Sequence, residues 1–256
     1  MRFVRYKLKD NLPQFGWVYK DKIGVIDGSP FGDYRRLEAE IDLDSAVLLP
    51  PVLPSKIICV GRNYVDHARE HGVEVPEIPL LFLKPPSSLI GNKGQILLPP
   101  QSKQVEHEAE LAVVIGAHTR WITAAEAANV IFGYTIANDV TARDLQRQDG
   151  QWTRGKGFDT FCPIGPWVET NLDPYDCLIT CQVNGEIRQM GSTRDMGFSI
   201  PQMVAYISSI MTLEPGDLIL TGTPSGVGLL NQGDLVKIDI EGIGSLENSV
   251  TNYQPT

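Results

Sequence analysis

The segment VEHEAELAVVIG, residues 105–116, sets Glu108 and Glu110 two positions apart at the start of an apolar run. Side chains alternate across a strand, so both glutamates share one face with Ala112 and Val114, while Leu111, Val113 and Ile115 take the other. Two carboxylates at the mouth of a water-poor strand repel each other and lose hydration unless a cation lies between them. A divalent metal answers that need, and an all-oxygen donor set favours Mg²⁺, Mn²⁺ or Ca²⁺ over zinc. The alternative is an exposed strand end with two solvated glutamates, and only a third ligand separates the two readings. Asp139 is the candidate, because Tyr134–Ala137 reads as a strand and the aspartate lies just past it.

Other residues have chemistry to offer around this pair. His67 and Glu70 stand three apart in RNYVDHAREHG, a polar stretch expected to form one or two helical turns, so they can pair as imidazole and carboxylate and make the histidine a better base. Lys84, between an apolar strand and a Pro-Pro turn, could anchor an anion. Arg143, Asp144 and Gln146 follow Asp139 on a short helix. Lys156 sits in R-G-K-G-F, where flanking glycines predict a flexible loop free to approach a ligand closely. GTPSGVG, residues 222–228, lacks the GK[ST] of a phosphate-binding loop, yet its amides and Thr223 could hold a carboxylate. Four cysteines are too few for a disulfide scaffold and read as reduced and buried.

These residues require strands to hold them. A chain of 256 residues, 42% apolar and 21% charged, can bury one large core. RFVRYKL, FGWVYK and KIGVID read as N-terminal strands and Tyr34–Glu40 as a short charged helix. Three prolines within Pro50–Pro54 mark a connector, dividing a small N-terminal domain (1–54) from the remainder (55–256). Further on, Ala124–Ile131 reads as a helix capped by Thr123, Val-Asn-Gly-Glu at 183–186 as a type I′ hairpin turn, and SIPQMVAYISSIM as a helix burying positions 203, 204, 207 and 210. The net charge of −9 and the lack of a basic cluster exclude a nucleic-acid binder. No apolar run approaches the ~18 residues of a membrane span. The start MRFVRYKLKD has no apolar targeting core, so the expected location is cytoplasmic.

From about residue 55 to 250 the chain resembles the fumarylacetoacetate hydrolase family. The likeness is carried in order by Gly61, Asn63, Tyr64 and His67; by FLKPPSSLIG; by Glu108, Glu110, Leu111, Ile115 and Gly116; by the run from Asn138 to Pro166; by Asn184 with NGEIRQ; and by GTPSGVG. It implies an α+β, mostly β fold with a rolled β-sandwich catalytic domain, in a homodimer, and Mg²⁺ or Mn²⁺ on Glu108, Glu110 and Asp139. It implies 2-oxo acid or 1,3-dicarbonyl substrates, with Lys156 catalytic and Arg62, Lys84, Arg143, Gln146 and Thr223 as substrate-binding candidates. In hydrolytic members a His–Glu pair activates water, matched by His67 and Glu70. Only about 54 residues precede the catalytic part, which likens the chain to short members. The expected activity is C–C bond cleavage through a metal-stabilised enolate, in acylpyruvate hydrolysis or oxaloacetate decarboxylation. The alternatives are an isomerase or tautomerase, and, from another class, a metabolite-binding protein without turnover.

Overall fold

The computed structural model describes residues 1–9, 12–70, 72 and 74–254. Five strands open the chain: β1 (Arg2–Lys7), β2 (Gln14–Tyr19), β3 (Lys22–Gly28), β4 (Tyr34–Asp42) and β5 (Val47–Leu49). The helix expected over Tyr34–Glu40 is β4 instead. Arg, Glu and Leu are good helix formers, but here the backbone pairs with β3 from Lys22↔Asp42 to Gly28↔Tyr34, and Trp17 donates its indole N–H to Leu37 O. Pairing with a neighbour overrides local propensity.

After the proline connector come β6 (Ile57–Gly61), helix α1 (Val65–Glu70), β7 (Leu80–Lys84), β8 (Leu89–Ile90) and β9 (Gln95–Leu98), then β10 (Val105–His107), β11 (Ala109–Ile115), β12 (Ile131–Asn138) and β13 (Thr141–Ala142). Helices α2 (Arg143–Asp149) and α3 (Thr153–Lys156) lead to β14 (Cys162–Glu169), β15 (Leu178–Val183) and β16 (Glu186–Ser192). Helix α4 (Ile200–Ile210), β17 (Leu218–Leu220), β18 (Gly228–Leu229), β19 (Leu235–Ile240) and β20 (Gly244–Asn252) complete the fold. It is mostly β, as expected.

The large sheet runs β4-β3-β2-β1-β14-β12-β11-β17-β6-β7, with β5 on β1 and β8 on β14. The N-terminal strands thus join the sheet that carries the rest, through β1 on β14, and the proline connector lies between β5 and β6. A second sheet, β16-β15-β19-β20-β9, supplies Ile179, Cys181, Val236 and Ile238 to a core shared with Leu111, Val113 and Ile115 of β11 and with Met203, Val204 and Ile207 of α4. The other face of β11, Ala112 and Val114, packs in a separate core with Ile57, Cys59, Leu218 and Leu220. That split matches the alternation expected for β11, and each fully buried Leu, Ile or Val contributes roughly 1.5–3 kcal/mol.

Local signals were partly overridden. Asn184 and Gly185 both have positive φ (54° and 82°), as a type I′ turn requires, between β15 and β16. Thr123 caps its helix through a capping box with Glu126, but the helix is a 3-10 segment, Ala124–Asn129, and Ile131 starts β12. In α4 the expected face is buried except Ile210, which is 48% exposed at the last turn. All four cysteines are free and buried.

Candidate active site

The strand break at Glu108 makes the site. Residues 105–116 do not form one strand: β10 belongs to a small sheet with β13 and β18, β11 to the large sheet, and Glu108 lies at their junction. Asn138 Oδ1 accepts the Glu108 N–H at 2.9 Å, and the Asp139 N–H donates to Glu108 O at 2.9 Å. These bonds extend the β11–β12 pairing past its last register pair, Ala109↔Asn138, and bring Asp139 against Glu108. One oxygen from each of Glu108, Glu110 and Asp139 falls within 4.8 Å of the others, all three side chains buried. The trio read from sequence is one cluster.

Its neighbours are cations and amides. Lys156 Nζ donates to Glu108 Oε2 (2.8 Å) and Asp139 Oδ2 (2.7 Å) and lies 4.9 Å above the Phe82 ring. The expected flexible loop is wrong for Lys156. It ends helix α3 and is 2% exposed, because Gly155 packs against the Gln146 backbone too closely for a Cβ and draws α3 onto α2. Arg143 is fully engaged: Nε with Glu106 (2.8 Å), Nη2 with Glu108 (2.5 Å) and Nη1 with Gln146 Oε1 (2.7 Å). Lys84 is absent from the cavity wall. Its ammonium donates to Val140 O (3.1 Å) and Lys156 O (2.5 Å) and lies 2.7 Å from Asp139 Oδ1, so it braces the site from behind. The GTPSGVG loop does hold a carboxylate, the protein's own: Gly222 N–H donates to Glu110 Oε2 at 2.7 Å. Thr223 gives its hydroxyl proton to Ala109 O at 2.8 Å.

Charge is unevenly balanced among the three carboxylates. Burial pushes the Glu108 carboxyl up, but the Lys156 and Arg143 charges outweigh it and hold that group well below the usual range. Glu110 goes the other way: burial, then the charges of Asp139 and Glu108, hold it well above its ordinary value, with only partial relief from Lys156 and the Gly222 amide. Asp139 Oδ1 lies 2.7 Å from the Lys84 ammonium in a buried ion pair. Three buried carboxylates within reach of one another, one of them destabilised by its neighbours, suit a hard dication, so the donor set fits Mg²⁺ or Mn²⁺.

A cavity of about 350 Å³ opens over the cluster, walled by Arg62, His67, Phe82, Gln146, Trp152 and Thr223 among others. His67 Nδ1 is 3.3 Å from Glu70 Oε2, the pair expected from their spacing on α1. Burial pulls the imidazole pKa below its ordinary value, against the opposing charge of Glu108. Arg62, at φ +59°, stands 5.8 Å from the Trp152 ring at the rim. Of the residues read from sequence, His67, Lys156, Arg62, Arg143, Gln146 and Thr223 line this cavity with the carboxylates. Phe82 and Trp152 were not singled out, although both stand in the quoted motifs; an aromatic there reads equally well as core.

Fold and site together define a mostly β scaffold with a buried cluster of three carboxylates, able to hold a metal ion, under a cavity. Residues 56–251 match the family described as fumarylacetoacetate (FAA) hydrolase C-terminal, and residues 1–51 match one described as Rv2993c-like, N-terminal. The chain belongs to the fumarylacetoacetate hydrolase family. It is 46% identical to the mitochondrial oxaloacetate tautomerase of Rattus norvegicus, over 84% of this chain and 74% of that one. Among solved structures it is similar to a 5-carboxymethyl-2-hydroxymuconate delta-isomerase from Mycobacterium smegmatis (45% identity, 99% and 100% of the two chains, TM-score 0.93). It is also similar to a maleylpyruvate hydrolase from Sphingobium sp. SYK-6 solved with manganese(II) and pyruvate (32% identity, 99% and 100%, TM-score 0.82). No helix among the described residues is long and apolar enough to cross a membrane.

Proposed function

We propose that this protein is a Mg²⁺- or Mn²⁺-dependent enzyme of 2-oxo acids that breaks the C–C bond beyond C3, by acylpyruvate hydrolysis, oxaloacetate decarboxylation or both. The observation that carries the reading is His67 on the wall of the cavity above Glu108, Glu110 and Asp139, paired with Glu70, which stands behind it and outside the cavity lining. Those three carboxylates would hold the ion, which supplies Lewis acidity that polarises the 2-oxo group. Lys156 puts a buried positive charge where the substrate's C1 carboxylate needs one. Gln146, its carbonyl taken by Arg143, keeps its amide N–H groups as donors. Arg62 stands at the rim, where the acyl end would emerge.

Burial lowers the His67 pKa and so favours the neutral imidazole, and Glu70 at Nδ1 favours the tautomer with its lone pair on Nε2. In hydrolysis that nitrogen takes a proton from water as the water oxygen adds to the distal carbonyl carbon. The C–C bond then breaks with its electron pair on C3, giving a carboxylic acid and the enolate of pyruvate, which is protonated at C3. Decarboxylation sends the same electron pair to C3 as CO₂ leaves, and needs no water. In this reading the chemistry belongs to residues 55–256, with 1–54 as a small N-terminal unit, in a homodimer working in the cytoplasm.

A second reading has its own support: the identities of 46% to a tautomerase and 45% to an isomerase exceed the 32% to a hydrolase. There His67 would move a proton at C3 without water attack. A panel of acylpyruvates and oxaloacetate, assayed with Mg²⁺ for acid release, CO₂ release and keto–enol exchange, decides between them. Fast exchange without either cleavage establishes the tautomerase. The absence of all three leaves a metabolite-binding protein.

A further inference from the structure

Gln189, on β16, lies outside the cavity wall and is fully buried, and its amide group is used from both ends. Its Oε1 accepts the Ala109 N–H at 3.0 Å and lies 2.9 Å from His107 Nδ1. Its Nε2 donates to Thr223 Oγ1 at 2.7 Å and to Pro224 O at 2.8 Å. The amide cannot be turned over, because a backbone N–H only donates and a carbonyl only accepts. One side chain therefore ties the Glu108–Glu110 junction to the loop that begins at Gly222.

That loop holds two carboxylates through backbone amides. Gly222 N–H donates to Glu110, and Gly226 N–H donates to both oxygens of Glu70, at 3.1 and 3.2 Å. Gly226 has φ +96° and sits so near β16 that a Cβ would come within 2.0 Å of Arg188 O. Helix α1 is six residues long and buries His67 and Ala68. The contact between Gly226 and Glu70 ties its last residue to this loop.

We infer that Gln189 is a positioning residue: by fixing residues 222–226 against the Glu108–Glu110 junction, it presents the Gly226 amide to Glu70 and so seats the His67–Glu70 pair over the carboxylates. Its kinetic consequence rests on the proposed role of that pair as a base. The structural consequence does not. Without the two Nε2 bonds, Pro224 O loses a buried partner and the loop loses its register, and a small displacement of a catalytic group is enough to cost a large factor in rate.

The test compares Gln189→Met, which keeps length and removes every hydrogen bond, with Gln189→Glu, which keeps an acceptor for Ala109 and loses both donors. Amide exchange in Gln189→Met should quicken by about tenfold or more at residues 65–70 and at Ala109, whose N–H loses its acceptor, and stay unchanged in the rest of β11. Acylpyruvate kcat should fall at least about tenfold, with KM and oxaloacetate decarboxylation held within about threefold. In a Glu70→Gln background the same substitution should add less than about twofold, since both changes break one linkage. If Gln189→Met does not fold, Gln189→Glu is read by the same measures. Faster exchange throughout β11 together with weakened Mn²⁺ binding would reduce Gln189 to a core support, and unchanged exchange at 65–70 would remove it from the argument. If the parent cleaves no acylpyruvate while exchange at 65–70 still responds, the hydrolase reading falls and the positioning role stands.

Discussion

Lys156 Nζ lies 2.8 Å from Glu108 Oε2 and 2.7 Å from Asp139 Oδ2, so one buried ammonium spans two of the three clustered carboxylates. Burial alone would lower the lysine pKa; the charges of Asp139 and Glu108 outweigh it and raise it. Lys156→Met should therefore act twice. A charge-assisted contact to substrate is worth about 1.5–3 kcal/mol, so kcat/KM should fall at least about tenfold. The metal-free protein, with Glu108 left to Arg143 and Asp139 to Lys84 and one positive charge fewer among the buried carboxylates, should melt lower and recover on adding Mg²⁺. Unchanged kinetics with every accepted substrate would exclude the substrate role.

Removing a carboxylate should weaken the metal centre directly. Glu108→Gln and Asp139→Asn should each bind Mg²⁺ at least about tenfold less tightly by calorimetry, given that ligand atoms within 4.8 Å of one another act as a set. Parental affinity in both variants would show that the ion binds elsewhere.

Proton release should accompany metal binding. The Glu110 carboxyl, raised by burial and by Asp139 and Glu108, stays protonated at pH values where an ordinary glutamate is ionised, and the ion must displace that proton. Affinity should rise with pH until the raised pKa is passed, then level off. Calorimetry in buffers of different ionisation enthalpy reads the number of protons released, and a value of zero across that range would contradict the assignment.

His67→Ala and Glu70→Ala should lower acylpyruvate cleavage by roughly 10²–10⁴-fold and oxaloacetate decarboxylation far less, since only the first needs a base for water. The pH profile carries a sign. Burial lowers the His67 pKa, so the imidazole stays neutral and active below its ordinary value of 6.5, and cleavage should decline only as pH falls through the lowered pKa. Equal losses on both substrates would mean that the pair orders the cavity instead of activating water.

The clustering of the three carboxylates was legible because the two-residue spacing of the glutamates and a strand-end aspartate are local facts, although Glu108 lies at a strand break and not within one strand. The His67–Glu70 pair was legible from its i,i+3 spacing. What sequence could not give were the placements decided by distant partners. Residues 34–42 carry helix-forming side chains, but β3 claims them as a strand. Lys156 looked mobile between glycines, yet those glycines serve close packing: a Cβ on Gly157 would lie 2.5 Å from Thr153 O. Lys84 and Arg143 are cations that the protein spends on its own carbonyls and carboxylates, and no spacing rule distinguishes that from binding a ligand.

Strand β17 occupies the gap between β11 and β6, pairing in parallel with β6 from Leu218↔Ile57 to Leu220↔Cys59 and antiparallel with β11. The β6–β7 edge of the large sheet is therefore joined to the rest by a segment made late in translation, about 160 residues after its partner. Until it arrives, the β6–β7 hairpin and the β11–β12–β14 block have no strand between them, and Glu110 has no Gly222 amide. Such high contact order makes folding slow, and it makes catalytic competence all-or-none: a nascent or truncated chain that stops short of residue 218 holds all three carboxylates in sequence without the strand and loop that fix them in space.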